Sequence, residues 1–192
     1  MSPITHFLTS WAVANSANLG RRDRALVTLS GVVPDVDGLG VIAEIATENS
    51  PHVLPWWSKY HHVLCHNIGF GLTLIVAVFL LSVRRRISAL LTLVVFHLHL
   101  FSDLVGSKGP DGYQWPIPYL LPFSDRWQFT WDGQWEFNAW PNIVLTAFVL
   151  FVVLYLAWKR GYSPLEIVSK KVDFAFVSTL REKFGAPHHS QV

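Results

Sequence analysis

Long stretches of this chain carry no Asp, Glu, Lys or Arg, and three of them are strongly apolar: residues 61–83, 87–102 and 137–158. Their centres, "LTLIVAVFLLSV" and "IVLTAFVLFVVLYLAW" among them, are apolar around the whole circumference rather than along one stripe. That pattern belongs to helices surrounded by lipid, because an amphipathic helix of a soluble domain keeps one polar face. A bilayer span needs roughly 17–25 such residues, and the three stretches reach the lower end of that range. The expected fold is therefore all-α: a polytopic membrane bundle of about five helices followed by a C-terminal amphipathic helix. Composition agrees, with hydrophobic residues at 51% and charged residues at only 15%, well below the charge of ordinary soluble domains. A net charge of +2 gives no reason to expect nucleic acid as a partner. The single cysteine, Cys65, excludes an intrachain disulfide.

The basic residues fall in clusters. Arg21, Arg22 and Arg24 follow a first helix expected over 6–19, Arg84 to Arg86 separate the first two uncharged stretches, and Lys159 with Arg160 closes the third. If each cluster is cytoplasmic the chain alternates sides without contradiction, and loops 35–60 and 106–140 lie outside. Residues 1–160 then form one membrane-embedded domain, and 161–192 a cytoplasmic helix and tail. The tail opens on "SPLE", which reads as a capping box with Ser163 as cap, Pro164 at the first helical position and Glu166 reaching back. Leu165, Val168, Val172, Phe176 and Leu180 follow at helical spacing, giving an apolar stripe suited to a membrane surface or to the bundle.

Against this background the histidines and aspartates stand out. His6, Asp35 and Asp37 in "PDVDG", His61 and His66 in "HHVLCH", and His99 with Asp103 in "HLFSD" all fall near helix ends. His99 and Asp103 are four apart, so both side chains leave one face of a helix and can reach one ion. His97 is two residues from His99, on the opposite face. His66 lies 19 residues before Arg85 and Asp103 lies 18 after it. On an antiparallel hairpin turning at that arginine, both sit roughly 27–29 Å from the turn, at one level. His62 has no assigned part, and Lys108 and Arg126 on the tryptophan-rich loop could face a phosphate. That loop, with Trp115, Trp127, Trp131, Trp135 and Trp140, reads as an interfacial aromatic belt or as a lid over a lipid-like ligand.

These residues resemble a family of bacterial inner-membrane-associated metal-dependent hydrolases that includes the LexA-binding membrane proteins. The family pattern is an early histidine, a Pro-Asp-x-Asp step, a His-Arg-x-x-Thr-His step, a His-x-x-x-Asp step and a Pro-Phe pair. His6 matches the first, Pro34, Asp35 and Asp37 the second, His61 and His66 the third, His99 and Asp103 the fourth, and Pro122 with Phe123 the last. Two positions depart: His62 stands where the family has arginine, and Cys65 where it has threonine. A weaker likeness, of spacing only, is to zinc-dependent phospholipase C. The resemblance implies a multi-pass protein of the bacterial inner membrane with one or more bound metal ions.

Mixed imidazole and carboxylate ligands suit Zn²⁺ first, with Mn²⁺ or Fe²⁺ behind it. The expected reaction is hydrolysis of a phosphoester or ester bond in a lipid-like or envelope substrate by metal-activated water. His6, His61, His66, His99, Asp103 and Asp35 are the expected ligands, and Asp37 a ligand or general base. Membrane lipid is the expected partner. The rival reading is a non-enzymatic membrane protein with a structural metal, or a metal or proton carrier. A carrier needs ionisable groups along the span, and between Arg86 and Phe96 there are none, which favours a one-sided site.

Overall fold

The computed structural model describes residues 1–109 and 112–187. Among these the secondary structure is helical apart from two isolated bridges, Lys108 with Glu136 and Ile117 with Phe129. Eight α-helices follow in order: α1 (Pro3–Ala14), α2 (Arg21–Ser30), α3 (Gly40–Thr47), α4 (Trp56–Tyr60), α5 (Ile68–Leu81), α6 (Arg85–Gly106), α7 (Trp140–Arg160) and α8 (Lys170–Phe184). Short 3₁₀ segments occupy Val33–Leu39 and Pro164–Ile167.

Two helices, α6 and α7, are long and apolar enough to cross a membrane. The segment from α2 to α3, bent by 45° at its break, makes a third if it counts as one broken span. The bend falls where Gly31 ends α2 and Pro34, lacking an N–H, starts the 3₁₀ turn. Helix α7 presents Ile143, Val144, Phe148 and Phe151 outward, and α5 presents Leu72, Val76 and Leu80. Such a surface is stable against lipid rather than water.

The helices pair α1 with α2 and α7, α2 with α6, and α5 with α6. Small and hydroxylic residues line the buried contacts: Ser10, Thr28, Ser30, Ser88 and Thr92 are all fully enclosed. Helices pack closely in lipid through such residues, since their apolar faces gain little by leaving hydrocarbon. Gly31 is the tightest point, where an added Cβ would collide with Ser10. Larger side chains fill the rest of the core, with Trp11 against Leu8 and Val153, and Phe96 against Leu100 and Ile117.

Three local expectations are corrected. The stretch 61–83 is not helical throughout, because 61–67 forms turns and α5 starts only at Ile68, capped by the Asn67 side chain accepting from the Phe70 amide. The first helix runs from Pro3 to Ala14 rather than over 6–19, and Asn15 ends it by folding its amide onto the Trp11 carbonyl at 2.8 Å. In the tail Ser163 does accept from the Leu165 amide, yet only a 3₁₀ turn follows, and α8 begins at Lys170 with Ser169 as its cap. The box fails because Glu166 is drawn elsewhere. Arg24 donates to both of its carboxylate oxygens, at 2.6 and 2.9 Å.

Candidate metal centre

At the end of the bundle away from the basic clusters, four segments bring their polar residues together. α1 supplies His6, the 3₁₀ turn Asp35 and Asp37, the 61–67 turns His61, His62 and His66, and the last two turns of α6 His99 and Asp103. The level predicted from the hairpin holds, with His66 Nε2 lying 3.4 Å from Asp103 Oδ2. The helical phase holds as well. His97 points away, bonded to the Leu93 carbonyl and the Tyr119 hydroxyl, both at 2.8 Å.

Tautomers can be read from the outer partners. His99 Nδ1 lies 2.9 Å from the Gly31 carbonyl, which can only accept, so that nitrogen carries the proton. His66 Nδ1 lies 3.1 Å from Asp37 Oδ2 and donates in the same way. In the neutral rings both Nε2 atoms then hold bare lone pairs, and they face each other at 3.0 Å. Asp103 Oδ2 sits 3.0 Å from His99 Nε2, yet accepts no hydrogen bond. Three such electron-rich atoms, converging out of bulk water, repel one another unless a proton or a metal cation lies between them.

Ligand atoms of His6, Asp35, His99 and Asp103 all lie within 4.8 Å of one another, as do those of His62, His66 and Asp103. Either group could hold a metal ion. His6 Nε2 is 3.2 Å from Asp103 Oδ1, and His99 Nε2 is 3.8 Å from Asp35 Oδ1, whose other oxygen has no partner. The Met1 amino group also reaches Asp103 and Ser107, a positive charge already drawn to this carboxylate.

Two residues singled out in the sequence take other places. Asp37, expected as a ligand or general base, accepts from His61 Nδ1 at 2.9 Å, from His66 and from the Cys65 amide. Its side chain is wholly enclosed and it falls in neither group. His61, expected as a ligand, is likewise outside both groups, with its ring packed on Trp115 at 4.4 Å between centroids. His62, unassigned from the sequence, is inside one of them. Its burial disfavours the imidazolium, so the ring is held neutral with a lone pair to offer. Burial and then Asp37 push the Cys65 thiol up to about 11, which keeps it out of thiolate chemistry near neutrality.

The cluster opens into a cavity of about 880 Å³. Asp35, His61, His62 and Asp103 form its polar floor, while Leu39, Val41, Trp57, Trp115 and Phe137 form apolar walls and Lys108 contributes one cation. The tryptophan-rich segment is bound to the floor of the site: Gln134 donates to the Asp103 carbonyl at 2.9 Å, and the Trp135 amide to the Val105 carbonyl at 3.1 Å. Arg126 is exposed and does not line the cavity.

No curated protein and no solved structure matches the chain. The profile of the family described as YdjM inner membrane protein matches residues 1–168, which takes in all four ligand-bearing segments and α1 to α7. With that much of its length matched, the chain belongs to the YdjM inner membrane protein family.

Proposed function

We propose that this protein is a metal-dependent hydrolase of the bacterial inner membrane, crossing it more than once and cleaving a phosphoester or ester bond in a lipid-like substrate. The observation that carries the reading is the pair of bare imidazole nitrogens facing each other beside Asp103, at the floor of an apolar-walled cavity. His6, Asp35, His99 and Asp103 would hold a divalent ion, Zn²⁺ by donor chemistry. When bound, such an ion polarises a phosphoryl or carbonyl oxygen and lowers the pKa of water from ~15.7 toward ~7.

The chain's own groups do the rest. Gly31 and Asp37 fix the rings of His99 and His66 by taking their Nδ1 protons. The apolar walls suit acyl chains and exclude water from the reacting bond, and Lys108 offers a point charge to a phosphate. Asp37 acts as a positioning residue. A purely structural metal would be closed off by its ligands, whereas Asp35 and Asp103 both border open volume.

The test is metal analysis of detergent-purified protein, followed by a screen of phosphoester and carboxylester substrates with His99→Ala as control. Zinc in the wild type, turnover of at least one lipid-like ester and loss of both in the variant are expected. Metal retained without turnover of any such ester would favour the structural reading.

A further inference from the structure

We infer that the site holds two metal ions, and that His62 is a ligand of the second one together with His66, with Asp103 bridging the pair. The inference rests on the reading of the cluster as a metal site and extends it by one ion and one ligand. Four observations converge on His62. It is the one non-glycine residue with positive φ among the described residues, at +64°, a conformation that a β-carbon disfavours. Such strain persists where surrounding structure demands it, commonly at functional sites. The residue is also 2% exposed, and its Nδ1 has no hydrogen-bond partner. A buried polar nitrogen left bare is costly, and nearly all such atoms in folded proteins are satisfied. Third, a ligand atom of His62 lies within 4.8 Å of those of His66 and Asp103. Fourth, Asp103 is common to both groups: its Oδ1 faces His6, and its Oδ2 lies between them, 3.0 Å from His99 Nε2 and 3.4 Å from His66 Nε2.

One ion cannot account for all of this. An ion among His6, Asp35, His99 and Asp103 leaves the strained backbone and bare nitrogen of His62 unexplained. A second, among His62, His66 and Asp103, accounts for both. It also accounts for Asp37, which orients His66 as Gly31 orients His99, so each ion has a ring fixed from behind. Two ions on one carboxylate suit phosphoester cleavage, where attacking and leaving oxygens both need stabilisation.

The test counts metal rather than turnover. Detergent-purified protein loaded with Zn²⁺ and freed of excess is assayed for zinc per chain by mass spectrometry. Two equivalents are expected in the wild type and one in His62→Gly, His62→Asn and His6→Ala. Glycine and asparagine both accept the left-handed backbone, so these variants remove the imidazole without adding strain. A wild type with one equivalent, unchanged in the His62 variants, would overturn the inference and leave the single-ion reading intact. Two equivalents retained in them would remove His62 from the ligand set. No zinc in the wild type would overturn both readings. Independently of any variant, wild type loaded with Mn²⁺ should give the electron paramagnetic resonance spectrum of an exchange-coupled pair. A spectrum of isolated Mn²⁺ alone would overturn the bridge.

Discussion

The two ends of the bundle bury ionisable side chains in opposite ways. At the basic end every buried charge meets a protein partner. Arg24 is clamped by Glu166, covers the Tyr162 ring at 3.8 Å and donates to the Leu19 carbonyl. Asp23 accepts the amides of Val83 and Arg84 at 2.9 and 2.7 Å, tying α2 to the α5–α6 turn. Asp173 accepts from the amide and hydroxyl of Ser163. At the histidine end some acceptors go unmet: oxygens of Asp35 and Asp103 and a nitrogen of His62 have no hydrogen-bond partner. A closed set of pairs holds helices together. A set with unpartnered carboxylate and imidazole atoms is one that a metal ion could join.

If the contrast also marks the two faces of the membrane, it can be broken in an all-or-none experiment. With Cys65 replaced by serine, single cysteines at exposed Gln128, on the tryptophan-rich loop, and at exposed Thr179, on α8, are treated in intact cells with a membrane-impermeant thiol reagent. Label at 128 and none at 179 is the outcome the positive-inside rule predicts. The reverse would turn the site toward the cytoplasm.

The next largest effect belongs to the basic end. Glu166→Ala leaves the Arg24 guanidinium buried without its carboxylate, which costs about 3–5 kcal/mol of stability. Detergent thermal unfolding should show that loss, and the further change Arg24→Met should recover most of it, with metal content unaltered throughout. Metal loss in folded Glu166→Ala would show that the two ends are not independent. At the histidine end, Asp37→Asn should keep the fold and weaken zinc binding about 10–100-fold, read by competition with a chromogenic chelator. His97→Ala, on the other face of the same helix, should leave zinc affinity unchanged. Equal weakening by both would erase the distinction between a group that aims a ligand and one that only packs.

Much of this was legible in the sequence. Charge-free runs and helical phase place α6 and α7, and put His99 and Asp103 on one face with His97 opposite. The common level of His66 and Asp103 follows from counting to Arg85. What spacing could not show is which carboxylate is spent on orienting rings: Asp35 and Asp37 are two apart in one turn, and only the tertiary fold decides which meets His66. Nor could it show the part of His62, because a left-handed backbone is a property of the packed turn and not of its residue types. The tail misleads for a related reason. Local capping and a distant arginine compete for Glu166, and the bidentate ion pair wins.

Gly31 has no side chain and holds no ion, yet the packing leaves little room for any other residue there. A methyl group there meets Ser10 on α1 at once and Val95 on α6 at 3.4 Å, while its own carbonyl steers His99. Any larger residue must part α1 from α2 and so swing the acceptor that sets the imidazole. A natural substitution at 31 would therefore need a matching change at position 10, and the two would travel together in relatives that keep the histidine. The aim of an imidazole at this centre thus depends on a position that has room only for a hydrogen atom.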